Sequence, residues 1–119
     1  MTPQELLEAA RENVREVTTD DAHSHYSQWH AVIDVREANE YAQGRLPGAR
    51  LIPRGVLELH IEGTEDCKDK EAPYLLYCRS GRRSLLAGEQ LRKMGYTHVV
   101  SMAGGFLKWH SEGKPFEEG

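Results

Sequence analysis

Short hydrophobic runs alternate along the chain with segments in which apolar residues recur every three or four positions. The runs AVIDV (31–35), APYLLY (72–77) and THVVSM (97–102) predict buried strands, because they have strand length and are rich in β-branched and aromatic residues. VREVT (14–18) and RLIP (50–53) predict two shorter strands. Strands separated by helical segments are typical of the α/β class. We therefore expect a mostly parallel five-stranded sheet with helices on both faces.

The segments between these strands have helical spacing, and the first carries a clear start signal. Thr2 is followed by Pro3 and Glu5, the pattern of a capped helix, so a helix is expected near residues 3–13. Residues 1–14 are expected to pack as an N-terminal helix on a domain of residues 15–117. The other predicted helices are TTDDAHSHYSQ (18–28), REANEYAQ (36–43), GVLELHIE (55–62), SLLAGEQLRKM (84–94, capped by Ser84) and FLKWHSE (106–112).

Length, charge and hydropathy narrow the class of protein. A chain of 119 residues is long enough for one domain with its own core. No apolar run approaches the roughly 18 residues of a membrane span, and the acidic N-terminus lacks the cationic start of a secretory signal. The formal net charge is −4, so no overall basic field favours nucleic acid. These features predict a cytoplasmic protein that binds neither a membrane nor nucleic acid. A monomer is expected because no extra helix or long apolar edge marks an interface.

The segment after the predicted strand 72–77 concentrates the reactive groups. Its sequence is Cys78-Arg79-Ser80-Gly81-Arg82-Arg83-Ser84, and it joins a strand to a helix, where α/β folds collect ligands. Adjacent arginines and a helix N-terminus favour the thiolate, the nucleophilic form of cysteine. Gly81 can adopt a positive φ, so that successive N–H groups turn inward and form a cup for an anion. A persulfide on Cys78 is such an anion.

A second interpretation makes Cys78 an ordinary core residue and the arginines a solvated surface run. Cysteine at the end of an apolar strand often has only this packing role. Three arginines beside one cysteine are poor core material, however, because charged side chains are almost never buried without partners. The pattern therefore favours a functional thiol.

Three separate blocks of the sequence resemble the signatures of the rhodanese family. The first runs from Asp34 and Arg36 through the segment GRLPGA (44–49) to Ile52-Pro53, and the second is the Cys78 loop. The third comprises Gly104-Gly105-Phe106, Trp109 and Gly113-Lys114-Pro115. Together they span about residues 15 to 116. One departure is Arg45, where the family usually has histidine; we interpret this position as structural.

The resemblance implies a rhodanese-like fold and a thiosulfate sulfurtransferase activity. In such an enzyme the Cys78 thiolate attacks a donor such as thiosulfate, sulfite leaves, and cyanide or a protein thiol takes the sulfur from the persulfide. No metal or organic cofactor is implied. The residues expected to bind the donor are Arg79, Ser80, Gly81, Arg82 and Arg83. Asp34 and Arg36 are expected to support the loop, with Arg36 paired to a carboxylate such as Glu40.

Two other functions remain compatible with the loop. Cysteine-dependent phosphatases and arsenate reductases also use a thiolate in an anion-binding loop, but their arginine is the sixth residue after the cysteine, where this chain has Ser84. The shorter loop suits a single sulfur atom better than a tetrahedral phosphate. A sulfur-carrier or interaction module, which passes persulfide to a specific protein with little small-molecule turnover, is the third possibility.

The remaining cysteine and the histidines give weaker signals. Cys67 lies in the polar segment 62–72 between Asp66 and Lys68, without net positive charge, and is expected to be an exposed bystander with a free thiol. His23, His25 and His30 are close in sequence, but His23 and His25 point in different directions on a helix and no further ligands complete a tetrahedron. No metal site is predicted.

Overall fold

Five parallel strands form the centre of the computed structural model, which describes all 119 residues. Their order across the sheet is β1-β5-β4-β2-β3, so β4 lies in the middle. Every pair of neighbours is parallel, and the sequence prediction of a five-stranded α/β sheet is confirmed. The strands are β1 (Arg15–Val17), β2 (Ala31–Asp34), β3 (Arg50–Leu51), β4 (Pro73–Tyr77) and β5 (His98–Met102).

Six α-helices connect or flank the strands. The predicted helix 18–28 ends early and is followed by a short 3₁₀ turn, and the predicted helix 55–62 is one short α-helix with a 3₁₀ turn at each end. None of the helices has the length and apolar composition needed to cross a membrane. The helices are α1 (Pro3–Arg11), α2 (Thr19–Ser24), α3 (Ala38–Gln43), α4 (Leu57–His60), α5 (Arg82–Lys93) and α6 (Gly105–Ser111).

The start of α5 differs from the sequence prediction. Ser84 was expected to cap this helix, but α5 begins at Arg82 and its N-cap is Gly81. Gly81 has a φ of 97°, a left-handed conformation that turns the chain into the helix earlier than a capping serine would. Ser84 is therefore free for a different contact, and its side chain is buried.

Side chains of β4 alternate between two apolar layers. Tyr74, Leu76 and Cys78 belong to the layer that contains residues of α4 and α5, such as Leu91. The intervening Tyr77 belongs to the opposite layer, with residues of α2 and α6. Because a strand directs successive side chains to opposite faces, Cys78 points to the face covered by α5. The alternation along β4 therefore places the Cys78 thiol on the side of the sheet that α5 covers.

The N-terminal helix α1 packs on the outside of α5. Thr2 and Glu5 form the predicted capping box, in which each side chain accepts a hydrogen bond from the backbone N–H of the other residue. Leu7 and Val14 are buried in a small apolar cluster with Leu85 of α5. Amphipathic helix spacing therefore brings this segment onto the sheet-bound helix.

Candidate active site

Cys78 follows the last residue of β4, at the carboxyl edge of the central strand of the sheet. Only three residues separate it from the start of α5. Gly81 closes this loop against the segment between β5 and α6. A Cβ atom on Gly81 would lie 3.1 Å from the backbone N of Gly104 and 3.2 Å from the carbonyl O of Met102. Both its positive φ and this close approach require glycine, so the turn predicted at Gly81 is confirmed.

The sulfur of Cys78 accepts hydrogen bonds from the loop backbone. The N–H of Gly81 lies 3.2 Å from Sγ, and the N–H of Ser84 lies 3.4 Å from it. Gly81 is the N-cap and Ser84 lies in the first turn of a 12-residue helix, whose N-terminus carries partial positive charge. Cys78 is only 1% exposed. The backbone therefore favours negative charge on a sulfur that is shielded from solvent.

The three arginines of the loop lie at the surface around this buried thiol. Arg79, Arg82 and Arg83 are exposed, as is Ser80. None of the three guanidinium groups takes part in a salt bridge. The loop thus presents positive charge that no carboxylate of the chain neutralises, although the whole protein is acidic. An anionic molecule approaching Cys78 meets this charge first.

The N-terminus of α6 fixes the orientation of the loop carbonyl groups. Phe106 N–H donates to the carbonyl oxygen of Cys78 at 2.9 Å, and Leu107 N–H donates to that of Arg79 at 3.0 Å. Gly105 lies against both carbonyls with a φ of 59°. Because these oxygens bond to α6, they point away from the sulfur and leave N–H groups on its side. The sequence placed Gly105 and Phe106 in a family signature and gave Phe106 a packing role, but it did not predict these hydrogen bonds to the loop.

A buried ion pair supports the strand next to the loop. Arg36 Nη2 donates to Asp34 Oδ2 at 2.7 Å, and Arg36 Nε donates to both carboxylate oxygens. Arg36 was expected to pair with a carboxylate such as Glu40, and it does pair with a carboxylate, but the partner is Asp34. Glu40 instead accepts a hydrogen bond from the Glu37 N–H within the cap of α3. The physical reason is proximity: Asp34 and Arg36 are two residues apart at the end of β2.

Tyr77 links this ion pair to the strand that carries Cys78. Its hydroxyl donates to Asp34 Oδ2 at 2.7 Å and accepts from the Leu46 N–H at 3.1 Å. Burial, with help from the Asp34 charge, raises the pKa of Tyr77, so the phenol stays protonated and able to donate. Burial opposes the charge on Arg36, but the hydrogen bonds to Asp34 outweigh it and raise the pKa of the guanidinium. The Arg36 guanidinium is therefore charged at any physiological pH.

A cleft of about 260 Å³ opens beside the loop. Its walls come from α3, from α6 and from the segment after α6. Phe106 packs edge-to-face on Phe116, with ring centroids 6.2 Å apart, and the Arg36 guanidinium lies 4.6 Å from the Phe106 ring centroid. The sequence did not predict this cleft, because its walls are distant along the chain. The lining residues are Arg36, Glu40, Gln43, Gly44, Arg79, Phe106, Leu107, His110 and Phe116.

The second cysteine is not exposed, which corrects the sequence prediction. Cys67 is completely buried in the apolar layer on the α5 side of the sheet. Asp66 adopts a left-handed φ of 73° and pairs with Arg50 at the surface, so the chain turns and directs the next side chain inward. Both cysteines are free thiols, as expected. Polar neighbours in the sequence therefore did not indicate where the Cys67 side chain lies.

Cys67 is expected to resist alkylation in the folded protein. Burial raises the pKa of its thiol to about 11, so at pH 8 roughly one molecule in a thousand carries the thiolate. Peptide mass spectrometry after iodoacetamide treatment should find the label on Cys78 and find it on Cys67 only after addition of denaturant. Equal labelling of the two cysteines in the native protein would contradict the raised pKa of the Cys67 thiol.

The three histidines make separate contacts. His23 packs edge-on against Trp109, His30 packs edge-on against Tyr74, and His25 Nδ1 lies 3.0 Å from the carbonyl oxygen of Asp21. The structure brings no three histidine, cysteine or acidic side chains together in an arrangement that could hold a metal ion. These histidines are accounted for by packing and local hydrogen bonds.

Comparison with protein families and relatives identifies one family. The model of the rhodanese-like domain matches residues 18–112. The uncharacterized protein YqhL of Bacillus subtilis is 44% identical over 78 residues, which cover 66% of this chain and 59% of that protein. A sulfurtransferase of Allochromatium vinosum is 34% identical over 84 residues, which cover 71% of this chain and 75% of that protein. The match thus spans about three fifths of the first relative and three quarters of the second.

A solved structure shows the same fold over almost the whole chain. It is that of a protein of unknown function from Rhodopseudomonas palustris, described as a possible tyrosine phosphatase. The TM-score is 0.89 at 27% identity, and the match covers 98% of this chain and 95% of that one. Helix α1 is therefore part of the shared architecture, since a match of this extent includes the N-terminal segment.

Proposed function

The chain belongs to the rhodanese-like domain family, and we propose that it is a sulfurtransferase whose Cys78 carries sulfur as a persulfide. The environment of the sulfur is the observation that carries this proposal. Two backbone N–H groups point at Sγ from the start of α5. The surface around it has three arginines without acidic partners. Such a site favours a thiolate and attracts an anionic donor.

The first half-reaction takes sulfur from the donor. The Cys78 thiolate attacks the outer sulfur of thiosulfate, a new S–S bond forms, and the S–S bond of the donor breaks. Sulfite leaves with the electron pair of that bond, and the enzyme keeps the persulfide anion R–S–S⁻. Arg79, Arg82 and Arg83 are the groups available to attract the doubly charged donor. The backbone N–H groups of the loop, which include those of Ser80 and Gly81, then face the persulfide.

The second half-reaction returns the enzyme to its starting state. A thiophilic acceptor such as cyanide or a protein thiolate attacks the outer sulfur, and the Cys78 thiolate is the leaving group. The first step exchanges the S–S bond of the donor for that of the persulfide. The second exchanges the persulfide S–S bond for a C–S bond to cyanide or an S–S bond to a protein thiol, so this double displacement needs neither a metal nor an organic cofactor. A reducing compartment such as the cytoplasm would keep both thiols of the chain free.

Persulfide formation on Cys78 is the direct test. Wild-type protein incubated with thiosulfate is expected to gain the mass of one sulfur atom by intact-mass spectrometry, and reduction with dithiothreitol should remove it. The Cys78→Ser variant should gain nothing, because a serine hydroxyl does not form a persulfide under these conditions. The Cys67→Ala variant is the matched control, and it should load like the wild type because the Cys67 thiol is buried and un-ionised.

Loading that survives in Cys78→Ser but disappears in Cys67→Ala would overturn the proposal. If thiosulfate fails to load the wild type, a persulfidated cysteine desulfurase is the second donor to try, because it presents the same sulfane sulfur on a protein. Failure of both donors would remove the sulfurtransferase function from Cys78.

The similarity to a possible tyrosine phosphatase makes phosphate-ester hydrolysis the second candidate. In this chain Arg83 is the fifth residue after Cys78, one position short of the phosphatase pattern, and it is exposed on the first turn of α5. The loop is therefore smaller than a phosphate cup. Hydrolysis of p-nitrophenyl phosphate that Cys78→Ser abolishes would favour the phosphatase.

A carrier role differs from an enzymatic one only in the acceptor. The cleft beside Arg79 includes Leu107 and Phe116, which are 49% and 38% exposed and could contact a protein partner. The experiment that separates the two roles compares sulfur transfer from the persulfidated protein to cyanide with sulfur transfer to a reduced protein thiol. Turnover with cyanide supports the enzyme, and transfer to the protein alone supports the carrier.

A further inference from the structure

Two buried serine hydroxyls lie behind the sulfur of Cys78. Ser84 is in the first turn of α5 and Ser101 is in β5, and both are inaccessible to solvent. Their Oγ atoms are 2.7 Å apart. Ser84 Oγ lies 3.5 Å from Cys78 Sγ, and Ser101 Oγ lies 3.5 Å from the carbonyl oxygen of Gly81. The sulfur is thus connected through Ser84 to a residue of a neighbouring strand.

In the thiol form the protons of this group point away from the sulfur. The Cys78 S–H donates to Ser84 Oγ, and Ser84 in turn reaches the Gly81 carbonyl oxygen at 3.3 Å or the Ser101 oxygen. Ser101 can donate its own proton to the Gly81 carbonyl. Each hydroxyl has one proton and two acceptor lone pairs. Every donor of the group therefore has an acceptor.

In the thiolate form the directions of these hydrogen bonds can reverse. The sulfur now has no proton and acts only as an acceptor, so the Ser84 hydroxyl can rotate toward Sγ and donate to it. Ser84 Oγ is then left to accept, and Ser101, 2.7 Å away, is the group placed to donate to it. A hydrogen bond to a charged group is stronger than one between neutral groups. The reversed arrangement therefore favours the charged sulfur.

We propose that Ser101 is a positioning residue that orients the Ser84 hydroxyl toward the Cys78 thiolate. The inference rests on the proposed role of Cys78 as the nucleophile. Ser101 lies outside the Cys78 loop and makes no hydrogen bond to the sulfur, so it acts through Ser84. Burying a hydroxyl is costly unless it is hydrogen-bonded, and here the two serines satisfy each other beside the one thiol of the loop.

The test measures how the alkylation rate of Cys78 depends on pH. Iodoacetamide labels the protein without any sulfur donor, and mass spectrometry of the Cys78 peptide separates this label from any on Cys67. In Ser101→Ala, the midpoint of the pH profile is expected to rise by about 0.5 to 1 pH unit, the scale of a weakened hydrogen bond to a charged group. Ser101→Thr keeps the hydroxyl and should restore most of the wild-type profile.

A matched control removes a buried hydroxyl elsewhere. Thr19 of α2 is as buried as Ser101, and its hydroxyl bonds to Glu112 on the opposite face of the sheet. Thr19→Val should leave the pH profile of Cys78 unchanged. If Ser101→Ala does not fold, Ser101→Cys replaces it, because the thiol has a similar volume but is a weak donor.

The double variant shows whether Ser101 acts through Ser84. Ser84→Ala is expected to raise the midpoint at least as far as Ser101→Ala, and combining the two should add nothing further. An unchanged profile in folded Ser101→Ala, or independent addition of the two effects, would overturn the inference. Failure of the wild type to load sulfur would instead count against the proposed function, because alkylation requires no sulfur donor.

Discussion

Replacement of Asp34 with alanine is expected to lower the free energy of unfolding by about 3–5 kcal/mol, the cost of leaving a buried charge without its partner. The Asp34 carboxylate is completely buried and accepts hydrogen bonds from Arg36 and from Tyr77. Without it, the Arg36 guanidinium keeps only the Gly44 carbonyl oxygen, at 2.6 Å. Urea denaturation followed by circular dichroism measures the loss.

Two further variants test the explanation. Glu58→Ala removes the partner of Arg54 in a half-exposed pair between α4 and the 3₁₀ turn before it, and we expect it to cost less than about 1 kcal/mol because such pairs are screened by solvent. Asp34→Leu combined with Arg36→Met removes both charges and should be more stable than Asp34→Ala alone. A loss no larger for Asp34→Ala than for Glu58→Ala would contradict the role given to the buried pair.

Substitution of Gly105 with alanine is expected to slow persulfide loading of Cys78 by about 100-fold, the scale of an ångström-sized displacement of reacting groups. A Cβ atom at this position would lie 2.6 Å from the carbonyl oxygen of Cys78 and closer still to that of Arg79. Neither backbone group can move without shifting the loop. The rate of mass gain with thiosulfate measures the effect.

Gly113 offers the matched control for Gly105. Its φ is 76°, also in the left-handed region, but nothing lies within 4 Å of where its Cβ would be. Gly113→Ala therefore has the same kind of backbone strain, about 1 kcal/mol, without the collision. It should lose some stability and keep the wild-type loading rate. Equal slowing in both variants would mean that strain, rather than contact with the loop, causes the effect.

The strands and the position of the thiol could be predicted because both follow from local patterns. Apolar runs of strand length predicted the three central strands, the short segments VREVT and RLIP predicted the two edge strands, and the run APYLLY ends directly before Cys78. Burial of Cys67 and the start of α5 were predicted wrongly, since each depends on one residue with a positive φ, Asp66 or Gly81. For Cys67, the polar neighbours in the sequence favoured an exposed side chain, and no local pattern indicated the turn at Asp66.

The remaining parts of the site come from contacts between distant segments. Asp34 and Arg36 were recognised as supporting residues, but the link to Tyr77 is made across 43 residues of sequence and requires β2 and β4 to be neighbours. Ser101 lies in a strand whose pattern indicates only burial. The cleft has walls from the segment around α3, the Cys78 loop, α6 and the segment after α6, and none of them carries a local signal for a cavity. Such features need the sheet order, which the hydrophobic pattern does not give.

The central position of β4 has a consequence for how sulfur reaches Cys78. Amide hydrogens of a middle strand are generally the slowest to exchange with water, because they are released only when most of the domain opens. Cys78 is attached to that strand, and its loop is held on one side by α5 and on the other by α6. Transient opening of the backbone is therefore too infrequent to give a donor access to the Cys78 sulfur, which is 1% exposed. We expect the donor to present its outer sulfur, and the acceptor its attacking atom, on a slender extension that reaches inward, while the domain itself stays rigid.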